Sequence, residues 1–351
     1  MESCSKEAII LNPDKKKFFS FFRSILVMFL ISGLLFSLES CKQGEKVAGT
    51  REKITIAYSI GLSTALVHIA FAKGYFADEG LDETPQTHGD GKLALDAVLQ
   101  GKADLATVGD TPFVFAVMKG KKIAVIATIA TSNRNDAIVA RLDRGIAKPA
   151  DLNGKNIGVP LGTTADYFAN SFLLFHGVKR KRVTFIDMKP DEMAGALDKG
   201  RVDAVSIWNT KLKQLEKGLG SNGTIFYGES IFTEAFCITA WQEFIKKNPE
   251  TIKKVLRALI KAETFVEKHY EEARLLEAEF IKVDKAVLDG MQDIFTFRVA
   301  LDQALLVDLE DQTRWILKNR LAARTDMPNY LDFIYFDSLL SVKPDAVKMI
   351  R

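Results

Sequence analysis

From Ile54 to Tyr227 the chain alternates short β-branched apolar runs with stretches whose apolar positions recur every three or four residues. The first pattern predicts strands and the second amphipathic helices. Ile54–Ser59 reads as a strand, and Ser63 or Thr64 can cap a helix running to about Lys73. Helices at Lys92–Gln100 and Thr111–Met118 flank a strand at Asp104–Val108, and the apolar run Lys122–Ala130 suits a buried central strand. After a strand at Ala137–Arg141 the alternation resumes. Strands are predicted at 156–159, 183–187, 204–207 and 224–227, and helices at 163–176, 192–199 and 211–217. Phe232–Ala240 is apolar and extended. Beyond Trp241 the pattern is helical, notably at Glu250–His269 and Glu271–Ile281. Strand–helix alternation predicts an α/β fold with mostly parallel sheets flanked by helices.

One unit occurs twice. Val98–Thr111 (VLQGKADLATVGDT) returns as Leu197–Thr210 (LDKGRVDAVSIWNT), aligning Gly101 and Asp104 with Gly200 and Asp203. Two copies imply two similar lobes facing each other across a cleft. The extended segments near Asp136 and Glu234 then form a two-strand hinge, and the late helices pack on the first lobe. The expected organisation is an export signal at 1–41 and a tether at 42–53. Lobe one occupies 54–136 and lobe two 137–234, and 235–351 returns to lobe one with the C-terminal helices.

The length of 351 residues suits two cores, and the net charge of +3 is too small to argue for nucleic acid. Five basic residues between Lys6 and Arg23 precede the apolar run Ser24–Leu38. That run falls short of the roughly 20 residues a spanning helix needs and reads as a secretory signal. Leu38-Glu39-Ser40-Cys41 resembles a bacterial lipobox, with Glu39 unusual there. The expectation is an exported protein lipid-anchored through Cys41, periplasmic or at the cell surface; plain secretion and an uncleaved anchor are the alternatives. With Cys4 removed and Cys41 lipidated, Cys237 has no partner and reads as a buried strand residue. The four histidines are scattered, so no metal or cofactor site is expected. No G-x-S-x-G or G-x-x-x-x-G-K-[ST] pattern occurs, and no catalytic set is expected.

Ligands of parallel α/β sheets bind at the carboxyl ends of the strands. Those ends select Gly61, Leu62 and Ser63; Asp110 and Thr111; Gly162, Thr163 and Thr164; and Trp208 with Asn209. Gly162-Thr163-Thr164 opens a helix whose first N–H groups attract anions, and it serves equally as an ordinary helix cap. Trp208 is either an aromatic wall or lobe packing. Arg134 near the first crossing either pairs with an acidic ligand or stays solvated.

At these residues the chain resembles the nitrate-, taurine- and alkanesulfonate-binding proteins of ABC importers. The likeness runs through ITIAYS, AFAKGYFADEGLD, ALDAVLQGKADLATVGDTP, KPADLNGKNIGVPLGTTADYFANSFL and ALDKGRVDAVSIWNTKLKQLEKG, roughly Lys53 to Phe280. It implies a type II periplasmic-binding-protein-like fold that captures a small solute and presents it to a membrane permease with its ATPase, as a monomer and without catalysis. It places ligand contacts on Gly61–Ser63, Asp110-Thr111, Gly162–Thr164 and Trp208. Two departures stand out. Asp166 replaces a histidine common in relatives, and Asn209-Thr210 replaces Asp-Pro. With Asp110, Asp136, Glu229 and Glu234 near the cleft, these carboxylates keep an amine-bearing or heterocyclic solute, such as a pyrimidine or thiamine precursor, as the alternative. A synthase or a sensor domain on the same fold is the remaining alternative. The synthases carry a cysteine-rich cluster that this chain lacks.

Overall fold

The computed structural model describes residues 51–229, 231–289 and 293–350; the apolar run at 24–38 and Cys41 lie outside them. Two sheets organise the chain. The first has the order β11-β4-β10-β3-β1-β2. Its strands are β1 (Glu52–Ser59), β2 (Leu81–His88), β3 (Leu105–Gly109), β4 (Ile123–Ser132), β10 (Glu234–Trp241) and β11 (Thr296–Ala300). The second has the order β7-β6-β8-β5-β9. Its strands are β5 (Asp136–Arg141), β6 (Asn156–Val159), β7 (Thr184–Asp187), β8 (Ala204–Trp208) and β9 (Gly223–Tyr227).

Both sheets are mixed rather than mostly parallel. The βα units supply the parallel ladders, β1 with β2 and β3 and β6 with β7 and β8. The strands that follow a crossing supply antiparallel ones: β5 beside β8 and β9, and β10 between β3 and β4. A strand arriving from the other lobe comes in at the cleft end and must run back against the βα strands. The chain thus crosses at 133–135 and again between Tyr227 and Glu234.

The helices cover the sheets by their apolar faces. Among them are α1 (Ala65–Ala72), α2 (Gly91–Leu99), α3 (Asp110–Met118), α4 (Thr164–Phe175), α5 (Met193–Asp198), α6 (Asn209–Leu219), α7 (Pro249–Lys268), α8 (Tyr270–Ile281) and α9 (Gln303–Asn319). In α7, Pro249 starts the helix, and Ile252, Val255, Leu256 and Leu259 are buried at helical spacing. They share one core with Ile54 and Ile56 of β1 and Leu305 and Leu309 of α9, so the late helices complete the first lobe. Each large apolar side chain so buried is worth about 1.5–3 kcal/mol. In the second sheet, strand alternation splits β5: Ile138 and Ala140 face one core, Ala137 and Val139 the other.

The duplicated unit has a structural explanation. Gly101 and Gly200 adopt φ of +69° and +67° at the ends of α2 and α5. Lys102 N donates to Ala97 O, and Arg201 N to Ala196 O, the closing bonds of a helix C-terminus. Asp104 then exchanges two bonds with Thr55: its own N donates to Thr55 O (2.9 Å), and its carboxylate accepts from Thr55 N (2.8 Å). Asp203 makes the same pair with Asn156, both at 2.9 Å. The repeated Gly and Asp therefore stop a helix and pin the next strand to its parallel neighbour, β3 to β1 and β8 to β6. Among the described residues no helix is long and apolar enough to cross a membrane.

Candidate functional site

The strand ends of the two sheets meet around a cavity of about 30 Å³. That admits roughly two waters or one small head group. From the strand ends of the first sheet it is lined by Gly61, Ser63, Gly109 and Glu234, and from those of the second by Thr163, Thr164 and Trp208. The lobes touch here. A Cβ on Gly109 would lie 2.8 Å from the Thr164 methyl, and Lys92 Nζ reaches Leu161 O at 3.1 Å.

The β1 loop is braced from below. Thr64 Oγ1 lies 2.8 Å from Ser59 O and 2.9 Å from Gly61 O. His68 Nε2 lies 3.0 Å from the same hydroxyl, and Nδ1 lies 2.8 Å from Glu277 of α8. The imidazole stacks on Phe280 at 4.3 Å. All three polar residues are buried. Thr64 thus ties the loop together instead of capping α1. Nothing local in the sequence links His68 to Glu277, which lies more than 200 positions away.

Several predicted residues have other engagements. Asp110 is fully buried, with Oδ1 accepting from Thr111 N (2.7 Å) and Oδ2 from Ala235 N (2.9 Å). It braces the start of α3 against the start of β10, and Thr111 is buried beside it. Leu62 packs on Ala278 and Ile281. Thr163 Oγ1 donates to Pro160 O (2.6 Å) rather than capping α4. Asp166 accepts from Gly162 N and Asn170 Nδ2, both at 3.0 Å, and burial pushes its pKa up to about 6. Asp166 and Gly162 line a neighbouring groove with Lys92, Phe115, Arg180 and Trp315, outside the cavity. Arg134 is half exposed and pairs with Glu229 at 2.9 Å. Asn209 contributes the first turn of α6. Cys237 is a free thiol buried in β10, and burial raises its pKa.

The strongest electrostatic feature comes from the two crossings. Asn135, Asp136 and Glu234 are all buried where β5 and β10 begin. Asn135 Nδ2 donates to Glu234 Oε2 at 2.5 Å. Both Asp136 oxygens, Glu234 Oε1 and Asn135 Oδ1 have no hydrogen-bond partner in the protein. Burial first, then the neighbouring carboxylates, raises Asp136 and Glu234 well above the usual range. Asp110 is pushed up to about 6 and Asp308 of α9 to about 8, both chiefly by burial. The sequence placed Asp110, Asp136 and Glu234 near the cleft, but Asp308 carried no such signal, and nothing in the sequence marks the oxygens of Asp136 and Glu234 as unpaired.

Comparison with known proteins agrees with this architecture. A binding protein of Brucella abortus (strain 2308), named without a ligand, is 29% identical over 232 residues, covering 64% of this chain and 70% of its own. The taurine-binding periplasmic protein of Escherichia coli (strain K12) is 26% identical over 216 residues, covering 60% and 65%. The alkanesulfonate-binding protein SsuA of Xanthomonas axonopodis pv. citri, solved bound to MOPS, superposes with a TM-score of 0.71. That match covers 81% of this chain and 98% of SsuA at 17% identity, and it carries the fold alone. The NMT1/THI5-like family model matches residues 63–273, and the chain belongs to that family.

Proposed function

We propose that the protein is the solute receptor of an ABC import system. It captures a small solute in the cavity between its lobes and delivers it unchanged to a membrane permease. The observation that carries this reading is the shared cavity at the strand ends, walled by Ser63 and Gly109 on one side and Thr163, Thr164 and Trp208 on the other. Relatives named for taurine and alkanesulfonates support a small, highly polar solute. Closure is a hinge motion about the two crossings between the sheets, biased by the solute's preference for the closed form. The lobes then correspond to 54–136 with 235–351, and to 137–234.

The ligand contacts in this reading are Gly61, Ser63, Thr163, Thr164 and Trp208, with Asp110 and Thr111 holding the floor. The protein is exported and tethered through lipidated Cys41; several acyl chains, each contributing about 0.8 kcal/mol per buried methylene, hold it at the membrane. It works as a monomer. Isothermal titration of the intact protein against taurine, alkanesulfonates and nitrate tests capture. One-site binding that Trp208→Ala weakens supports it, and a folded protein that binds none of them contradicts it. Mass spectrometry of the mature N-terminus tests the anchor: a diacylated Cys41 is expected, and an unmodified chain that still begins at Met1 contradicts it.

A further inference from the structure

We infer that the hinge acceptors form a subsite for a cationic, hydrogen-bond-donating head of the solute: a protonated amine, amidine or guanidine. The inference rests on the receptor reading and narrows its solute class.

Count of donors and acceptors comes first. Asp136 Oδ1 and Oδ2, Glu234 Oε1 and Asn135 Oδ1 are four buried acceptors without a partner in the protein. Their one donor nitrogen, Asn135 Nδ2, already faces Glu234, so oxygens outnumber N–H groups at this place. Buried polar groups are normally satisfied, and four orphans of one kind at one place call for a ligand rich in N–H. An ammonium brings three N–H groups, and an amidinium or guanidinium more.

Charge points the same way. The groups acting on Asp136 are Asp110 and the Thr164 hydroxyl; on Glu234 they are Asp136, Asp110, Asn135 and Thr164. Asp308 of α9 adds a fourth acid within reach of Asp110. No lysine or arginine figures among them. Arg134, next in sequence to Asn135, turns outward to Glu229, and Lys92 on the rim is bonded to Leu161 O. Unpaired carboxylates away from water cost several kcal/mol each unless neutralised or matched.

Position completes the case. Glu234 lines the cavity beside Gly109 and Thr164, and Asp136 stands in register with Trp208 across β5 and β8. A sulfonate or nitrate seated here would set oxygen against oxygen wherever Asp136 or Glu234 is ionised, and would leave Asn135 Oδ1 unpaired in either state. An ammonium seated there would bridge residues from both crossing strands, so that binding ties the hinge together.

Calorimetric titration of the intact protein at neutral pH with ethylammonium, guanidinium, taurine, ethanesulfonate and nitrate tests this. Taurine and ethanesulfonate differ only by the ammonium group. The expected result is that an ammonium- or guanidinium-bearing probe binds at least about tenfold tighter than ethanesulfonate and nitrate. Asp136→Asn and Glu234→Gln should each weaken that probe at least about tenfold without weakening the anions. Should Glu234→Gln fail to fold, Asp136→Asn carries the test alone. Anions binding as tightly as the cations, or cation binding untouched by Asp136→Asn, overturns the subsite and leaves the receptor reading standing. Absence of binding by every probe overturns both.

Discussion

Gly109 and Trp208 occupy the same position of the internal repeat and face the same cavity from opposite lobes. Glycine leaves the gap that the Thr164 methyl approaches, and tryptophan supplies the facing wall. A Gly109→Ala change should therefore leave each lobe folded but prop the cleft open. The β-branched Thr164 has little freedom to move aside. Solute affinity is expected to fall about tenfold or more with thermal stability nearly unchanged; titration and thermal unfolding together check this. Asp136 gives a pH-dependent counterpart. Its pKa is raised in the folded state, so folding binds a proton between its unfolded pKa and its folded one. Without solute, the stability it contributes is complete below the unfolded value and is lost as pH rises through the folded value. Asp136→Asn should then match the parent in acid and exceed it at alkaline pH by about 1–3 kcal/mol, read by urea unfolding across pH. An unchanged difference at all pH values would show that Asp136 is paired. At this scale the sequence located the loops by strand ends but could not distinguish a lining residue from a buried brace. Ser63, Thr164 and Trp208 line the cavity, whereas Asp110 spends its oxygens on two backbone donors.

The elements follow from patterns of different strength. The helices from Glu250 to Ile281 and the strands of the second lobe were legible because period 3.6 and period 2 are clean there. Two edge strands were not. β2 is Leu81–His88, LDETPQTH, polar and containing Pro85, a composition tolerated only where one side of the strand is unpaired. β11 is five residues amid helices, held at the other edge. The repeat was legible as a motif, but the work of its aspartates was not. Asp104→Ala should strand the Thr55 N–H and cost about 1–2 kcal/mol in chemical unfolding; Asp203→Ala, whose partner Asn156 is exposed, should cost less. The brace from α8 to the β1 loop is a second element-scale device. Glu277→Ala leaves the buried His68 ring nitrogen without its hydrogen-bond partner and should destabilise by about 1–3 kcal/mol, with the loop at Gly61–Ser63 losing hydrogen-exchange protection. A variant as stable as the parent would make the brace dispensable.

At the scale of the whole molecule, the crossings do two things at once. In the proposed receptor they let two α/β lobes approach and separate, and they carry the buried Asn135, Asp136 and Glu234 at the starts of β5 and β10. The two-lobe plan was readable from a 14-residue unit repeated at a fixed offset. The antiparallel course of β5 and β10 was not, because direction depends on where a strand enters the sheet and leaves no mark on its composition. The unpaired acceptors need coordinates as well, since pairing is a property of three-dimensional neighbours. A crystal structure of the protein with the tightest solute of the titration panel bears most directly on the central claim. The solute is expected between Ser63, Thr164 and Trp208, with a basic nitrogen about 3 Å from Glu234 or Asp136. A solute found instead in the outer groove beside Lys92, Arg180 and Trp315, with the inner cavity closed to it, would contradict the account.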